Sequence, residues 1–159
     1  LLKIGKNREG INGNSDPYDT HLKYNISQIK LAFDFKEIQG IETKNLIGFA
    51  VGGMYLKERG WTGVAEFFND EDIGTCKYAV NNMKLENGAV QLSKEDVRYD
   101  INKKPTDIFV EGSVNSGFTY SVSWFDDVYR HTLECASMDY NKEKLDKMIE
   151  LSKMIDKNH

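Results

Sequence analysis

The chain has little proline and little cysteine: two of each in 159 residues. So few prolines exclude a proline-rich linker. No Cys-x-x-Cys pair occurs, and His21, His131 and His159 lie far apart in sequence, which excludes a structural zinc site of the usual spacing. Positive charge is also short: 21 basic residues face 25 acidic ones, for a net charge of −4. A fold-wide footprint for nucleic acid or anionic lipid needs the opposite sign. Long hydrophobic runs are missing too. The longest, Leu46 to Leu56, is 11 residues with three glycines, against roughly 20 residues for a membrane span. We read it as a buried core segment.

Catalytic and ligand motifs are equally scarce. There is no Gly-x-Ser-x-Gly elbow. Gly5-Lys6 is followed by Asn7, so it does not make a Walker loop. The acidic run Asp70-Glu71-Asp72 is no EF-hand, because Thr75 and Asn81 stand where that loop needs glycine and glutamate. Asp126-Asp127 are paired carboxylates, but neighbours at a turn tip diverge instead of converging on a substrate. No motif is specific enough to name a family, and no cofactor is implied.

What remains is enough for a core. Leu, Ile, Val and Phe make up about a quarter of the chain, above the roughly 20% below which disorder sets in. Residues 1–20 are polar and glycine-rich, and we read them as a loosely ordered arm ahead of a single domain, 21–159. The chain begins Leu1-Leu2-Lys3, which we take as a processed or trimmed start.

Along the domain, residues 21–38 fit both a helical and an alternating pattern, and helix is the expectation taken. Residues 43–59 read as a second helix: Thr43 can cap it, Leu46, Ile47, Ala50, Val51 and Met54 give it an apolar face, and Lys57-Glu58-Arg59-Gly60 can end it. A short helix over 62–69 follows. From Thr75 the period falls to two. Asn87-Gly88 is a strong hairpin signal, and Lys104-Pro105 separates two further runs, Val97 to Ile101 and Asp107 to Val114.

Phe118 to Phe125 alternates cleanly, with Phe118, Tyr120, Val122 and Trp124 on one face and Thr119, Ser121 and Ser123 on the other. A two-residue turn at Asp126-Asp127 sets Trp124 opposite Tyr129, Val122 opposite His131 and Phe118 opposite Cys135, all on the apolar face. A three-residue turn, Asn115-Ser116-Gly117, sets Val114 opposite Phe118 and Val110 opposite Val122, with Gly117 left-handed. Residues 141–157 form a final helix, capped by Asn141 or Asp139, with Leu145, Met148, Ile149, Ser152 and Ile155 inward. The expected fold is α+β: N-terminal helices, an antiparallel meander of about five strands over ~75–136 with helices on its apolar face, and the C-terminal helix ~141–157.

Cys76 and Cys135 both fall on the apolar face, so they are the candidate disulfide. His131 and Cys135, four apart on a strand, lie about 13 Å apart, too far for a nucleophile–base pair. Tyr120, Trp124, Tyr129 and His131 form the candidate ligand pocket: aromatic walls with a few polar tips, available if helices leave part of the sheet uncovered. The functional expectation is a small exported domain, periplasmic or secreted, that binds a protein or small ligand without catalysis, with no nucleic acid and no membrane span. Two alternatives stand beside it: an enzyme with a pocket around His131, Tyr129 and Trp124, or an acidic inhibitor or immunity-type protein. Reduced cysteines would make the chain cytoplasmic instead.

Overall fold

The computed structural model describes residues 19–42, 45–88 and 97–159. Seven strands make one antiparallel sheet: β1 Leu46–Leu56, β2 Gly60–Asp70, β3 Gly74–Asn82, β4 Arg98–Ile101, β5 Lys104–Ser113, β6 Gly117–Phe125 and β7 Tyr129–Ser137. One helix follows, α1 Lys142–Lys157. The order across the sheet is β1-β2-β3-β7-β6-β5-β4. Two meanders, β1–β3 and β4–β7, therefore meet where β3 pairs with β7.

The expected architecture is overturned on two points. The helices expected over 43–59 and 62–69 are β1 and β2, and the sheet has seven strands, not five. Small residues on the outer face explain the misleading pattern. Phe49 and Val51 point to the core, while Gly48, Ala50 and Gly52 sit on the other face as small residues, so hydropathy hardly alternates. The pairing sets Ala50 against Ala65, Val51 against Val64 and Gly52 against Gly63. The basic stretch expected to end a helix is the β1–β2 turn, with Glu58 at φ 68° and Gly60 at φ 109°.

Residues 21–38 are not a helix either. Beyond one 3-10 turn, Ile26–Gln28, the segment runs extended along the sheet. It is pinned by backbone bonds: Lys23 and Phe49 exchange two at 2.7 Å, Trp61 N–H donates to Lys30 O, and Ala32 N–H donates to Trp61 O. The cap expected at Thr43 and most of the arm, 1–18, lie outside the described residues.

Asn87-Gly88 returns no strand onto β3, whose neighbours in the sheet are β2 and β7. The tight hairpin is instead β4–β5, where Asn102 and Lys103 both take positive φ (48° and 65°). Lys104-Pro105 opens β5 instead of separating strands. Both expected registers are displaced by two residues: Trp124 faces His131, Val122 faces Leu133, Phe118 faces Ser137, and Val110 faces Tyr120. A slip of two keeps every side chain on its face, so the inner and outer sets survive except at Val114, which lies in the β5–β6 turn and is exposed, while Gly112 faces Phe118. Gly117 is left-handed, at φ 82°.

The inner face carries the core: Phe68, Cys76, Tyr78, Val80, Ile101, Tyr120, Val122, Trp124, Leu133 and Cys135. Its covering differs from the several helices expected. Phe33, Phe35, Ile38 and Ile41 of the extended segment cover part of it, and α1 lies against β4 and β6. Asn141 caps α1 by accepting from Glu143 N–H at 2.8 Å. Its inner stripe is the expected one, with Met148, Ser152 and Ile155 buried and Leu145 and Ile149 half-buried.

Candidate functional site

The polar groups inside this core gather where the β6–β7 turn, the centre of the sheet and the end of α1 meet. Asp126 makes the turn: its Oδ1 accepts from Val128 N–H at 2.8 Å and Tyr129 N–H at 2.6 Å. Its other oxygen lies 3.7 Å from His131 Nε2. His131 sits mid-sheet with no exposed surface. Its ring runs parallel to Trp124 on β6 (centroids 5.1 Å, 8°) and to Tyr78 on β3 (6.1 Å, 6°). Tyr78 Oη is 2.8 Å from His131 Nδ1. With the Asp126 carboxylate on the Nε2 side, we assign the ring proton to Nε2 and let Nδ1 accept from the phenol. Burial, reinforced by neighbouring His159, pulls the His131 imidazole down to about 4, against the opposing pull of Asp126 and Asp156.

Asp156, in the last turn of α1, is the second node. Its Oδ1 accepts from Trp124 Nε1 at 3.1 Å and from Lys104 Nζ at 2.7 Å, and its Oδ2 accepts from Asn102 Nδ2 at 2.8 Å. Burial pushes this carboxyl up, but the hydrogen bonds from Lys104 and Asn102 outweigh it and hold it below its ordinary value. Next along, the His159 ring stands perpendicular on His131 (4.7 Å, 85°) and on Tyr129 (5.3 Å, 70°). The Nε2 atoms of both histidines are buried without a hydrogen-bond partner.

Glu66 on β2 is a third buried ionisable group, 1% exposed. It accepts from Ile38 N–H at 3.3 Å, so it fastens the covering segment to the sheet. Burial pushes its carboxyl up to about 7.

Each residue singled out by sequence has a definite place. Cys76 and Cys135 are directly opposite on β3 and β7 and form a disulfide, with Cα atoms 4.1 Å apart. Tyr120, Trp124 and His131 are fully buried in the core, and Tyr129 is half-buried beside Phe33 and His159. Tyr120 works as a fastening: its hydroxyl donates to Asp139 O and accepts from Asn141 N–H, both at 2.7 Å, which holds the entry to α1. Trp124, Tyr129 and His131 are thus together, while Tyr120 serves the other end of the helix. Sequence reasoning missed Glu66, Asp156 and His159. Asp156 had a signal, since it follows the inner-stripe residue Ile155. Glu66 had only its place between Val64 and Phe68 in an alternating run.

An open concavity lies elsewhere among the described residues. A groove of about 500 Å³ runs over the strand ends by the β2–β3 and β5–β6 turns. Glu71, Asp72, Thr75, Ser116, Thr119 and Lys144 give it a mixed polar lining. No group of three or more His, Cys, Asp or Glu set to hold a metal occurs among the described residues. No helix among them is long and apolar enough to cross a membrane. Comparison with protein-family models, with curated proteins and with solved structures finds no match.

Proposed function

We propose that this chain is an exported, disulfide-stapled binding domain without catalytic activity, periplasmic or secreted. The observation that carries the reading is the Cys76–Cys135 bridge across the seam between the two meanders. Such bridges persist in oxidising compartments and are rare where thiols are kept reduced. The bridge also removes both sulfurs as nucleophiles. The remaining reactive side chains point away from enzyme chemistry. His131, Trp124 and Glu66 are sealed inside the core and engaged in holding it, and a general acid or base must reach its substrate.

The groove at the strand ends is the surface we assign to ligand or partner binding, because it is concave and combines carboxylates, hydroxyls and one ammonium. The experiment is fractionation of the native host, followed by detection of the endogenous chain. Recovery in the periplasmic or extracellular fraction is expected, and recovery in the cytosol overturns the reading. The inhibitor alternative differs in demanding a basic partner and salt-sensitive association.

A further inference from the structure

The buried imidazoles point to a device that the binding reading does not require. We propose that His159 is an acid-released plug over an aromatic niche formed by His131, Tyr129 and Trp124. The His159 ring covers both His131 and Tyr129, and Trp124 lies flat against His131 from the next strand. The plug is held lightly. His159 N–H donates to Asp156 O at 3.2 Å, and its Nε2 has no partner. A neutral imidazole can stand there, but a protonated one must donate from both nitrogens.

The surroundings decide which way the plug moves. The groups facing the two rings are Tyr78 from β3, Asp126 from the β6–β7 turn, Lys104 from β5, Asp156 from α1, and Lys36 from the covering segment. Asp126 is committed on one oxygen to the turn, and Asp156 to Lys104, Trp124 and Asn102. Among these groups Asp126 Oδ2, 3.7 Å from His131 Nε2, is the one carboxylate oxygen not already hydrogen-bonded, so a second cation finds no carboxylate of its own. Two imidazolium rings with centroids 4.7 Å apart would repel strongly in so dry a site. His159 is the ring nearer to solvent, so it takes the first proton and swings out. His131 then gains water and the Asp126 carboxylate, and protonates in turn. The Asp156 bonds to the sheet persist, because that carboxyl stays ionised below the histidine range. The sheet and most of α1 stay docked while the niche opens. An opened niche has flat aromatic walls and one cation, features that suit a ring-bearing anionic ligand.

The test combines histidine NMR titration of the intact chain with quenching of Trp124. Resonances are assigned by elimination with His21→Ala and His159→Ala. His159 and His131 are expected to titrate in one linked step below the ordinary 6.5, because release of the first ring opens the second to water. In His159→Ala the His131 midpoint should climb toward the ordinary 6.5. In a Trp61→Phe background, acrylamide should reach Trp124 several-fold better at acid pH while the far-UV sheet signal is unchanged. His159→Ala should show that access already at neutral pH, and His159→Phe, a plug that cannot titrate, should keep Trp124 shielded in acid. A His131 midpoint unmoved by His159→Ala overturns the proposal. So does quenching of Trp124 that rises only as the sheet signal is lost.

Discussion

Trp124 Nε1 donates to Asp156 Oδ1 at 3.1 Å, and this bond ties the centre of the sheet to the last turn of α1, the one α-helix among the described residues. The same carboxylate holds Lys104 and Asn102 from the β4–β5 hairpin. One aspartate thus fixes β6, the edge hairpin and α1 relative to one another. Removing it strands a buried indole N–H, which costs about 1–3 kcal/mol. Asp156→Ala should therefore lose about 2–3 kcal/mol in urea unfolding, with α1 amides exchanging faster than those of β3. A loss within the ±0.5 kcal/mol typical of surface changes would show that the node holds nothing.

The bridge closes a loop between residues 59 apart in sequence. On the chain-entropy model that contributes about 4 kcal/mol. The double variant Cys76→Ala, Cys135→Ala should lose roughly that amount, chiefly by relaxing its unfolded chain. Equal midpoints for the variant and the oxidised protein would mean that the seam is secured by packing alone.

Glu66 sets the alkaline side of the stability profile. Its carboxyl is raised from 4.5 to about 7 in the fold, so the folded state favours the protonated form. That contribution is fully present below about 4.5 and is lost as pH rises through about 7. Glu66→Gln keeps the acceptor for Ile38 N–H but cannot ionise. It should gain about 2–3 kcal/mol over the parent at pH 8 and little at pH 4. Parallel melting curves at the two pH values check this, and an equal effect at both would remove Glu66 from the account.

His131 has the opposite sign. Its imidazole falls from 6.5 to about 4 in the fold, so the neutral form is favoured. Its contribution is complete above about 6.5 and is lost as pH drops through about 4. In the Glu66→Gln variant, where the opposing Glu66 contribution is absent, stability should therefore decline on the acid side over that window, and a urea midpoint of that variant that holds constant between pH 6.5 and 4 would contradict it.

Gly112 on β5 has φ 134°, and a Cβ there would collide with Gly117 O across the hairpin. Gly112→Ala should destabilise by about 1–3 kcal/mol, read as a lower melting temperature. An unchanged melting temperature would mean that the hairpin can open at no penalty.

How much of this was legible depended on how one-sided each strand is. Phe118 to Trp124 alternates because large apolar residues face the core and hydroxyl residues take the other side of the sheet, where Ser121 and Ser123 are themselves buried, so β6 and β7 could be read directly. The bridge followed from face assignment, since Cys76 and Cys135 both fall on the apolar side. Helix α1 carried its own cap in Asn141 and a regular stripe. By contrast, β1 hides its period: Gly48, Ala50 and Gly52 alternate with Phe49 and Val51 in size, not in polarity. In β2, Glu66 places a carboxylate on the buried face and breaks the pattern outright. Register escaped by two residues because face matching fixes parity alone. The polar nodes were invisible for a related reason. The pairing of Asp156 with Trp124 and of His159 with His131 depends on how the helix lands, which no local spacing encodes.

The most direct test of the central claim is the thiol state of the chain as its host makes it. Cells are quenched in acid, the protein is unfolded in alkylating reagent without reductant, and the intact mass is read. We predict no label on monomeric protein, with two labels appearing after reduction. Two labels before reduction would contradict both the bridge and the exported reading built on it.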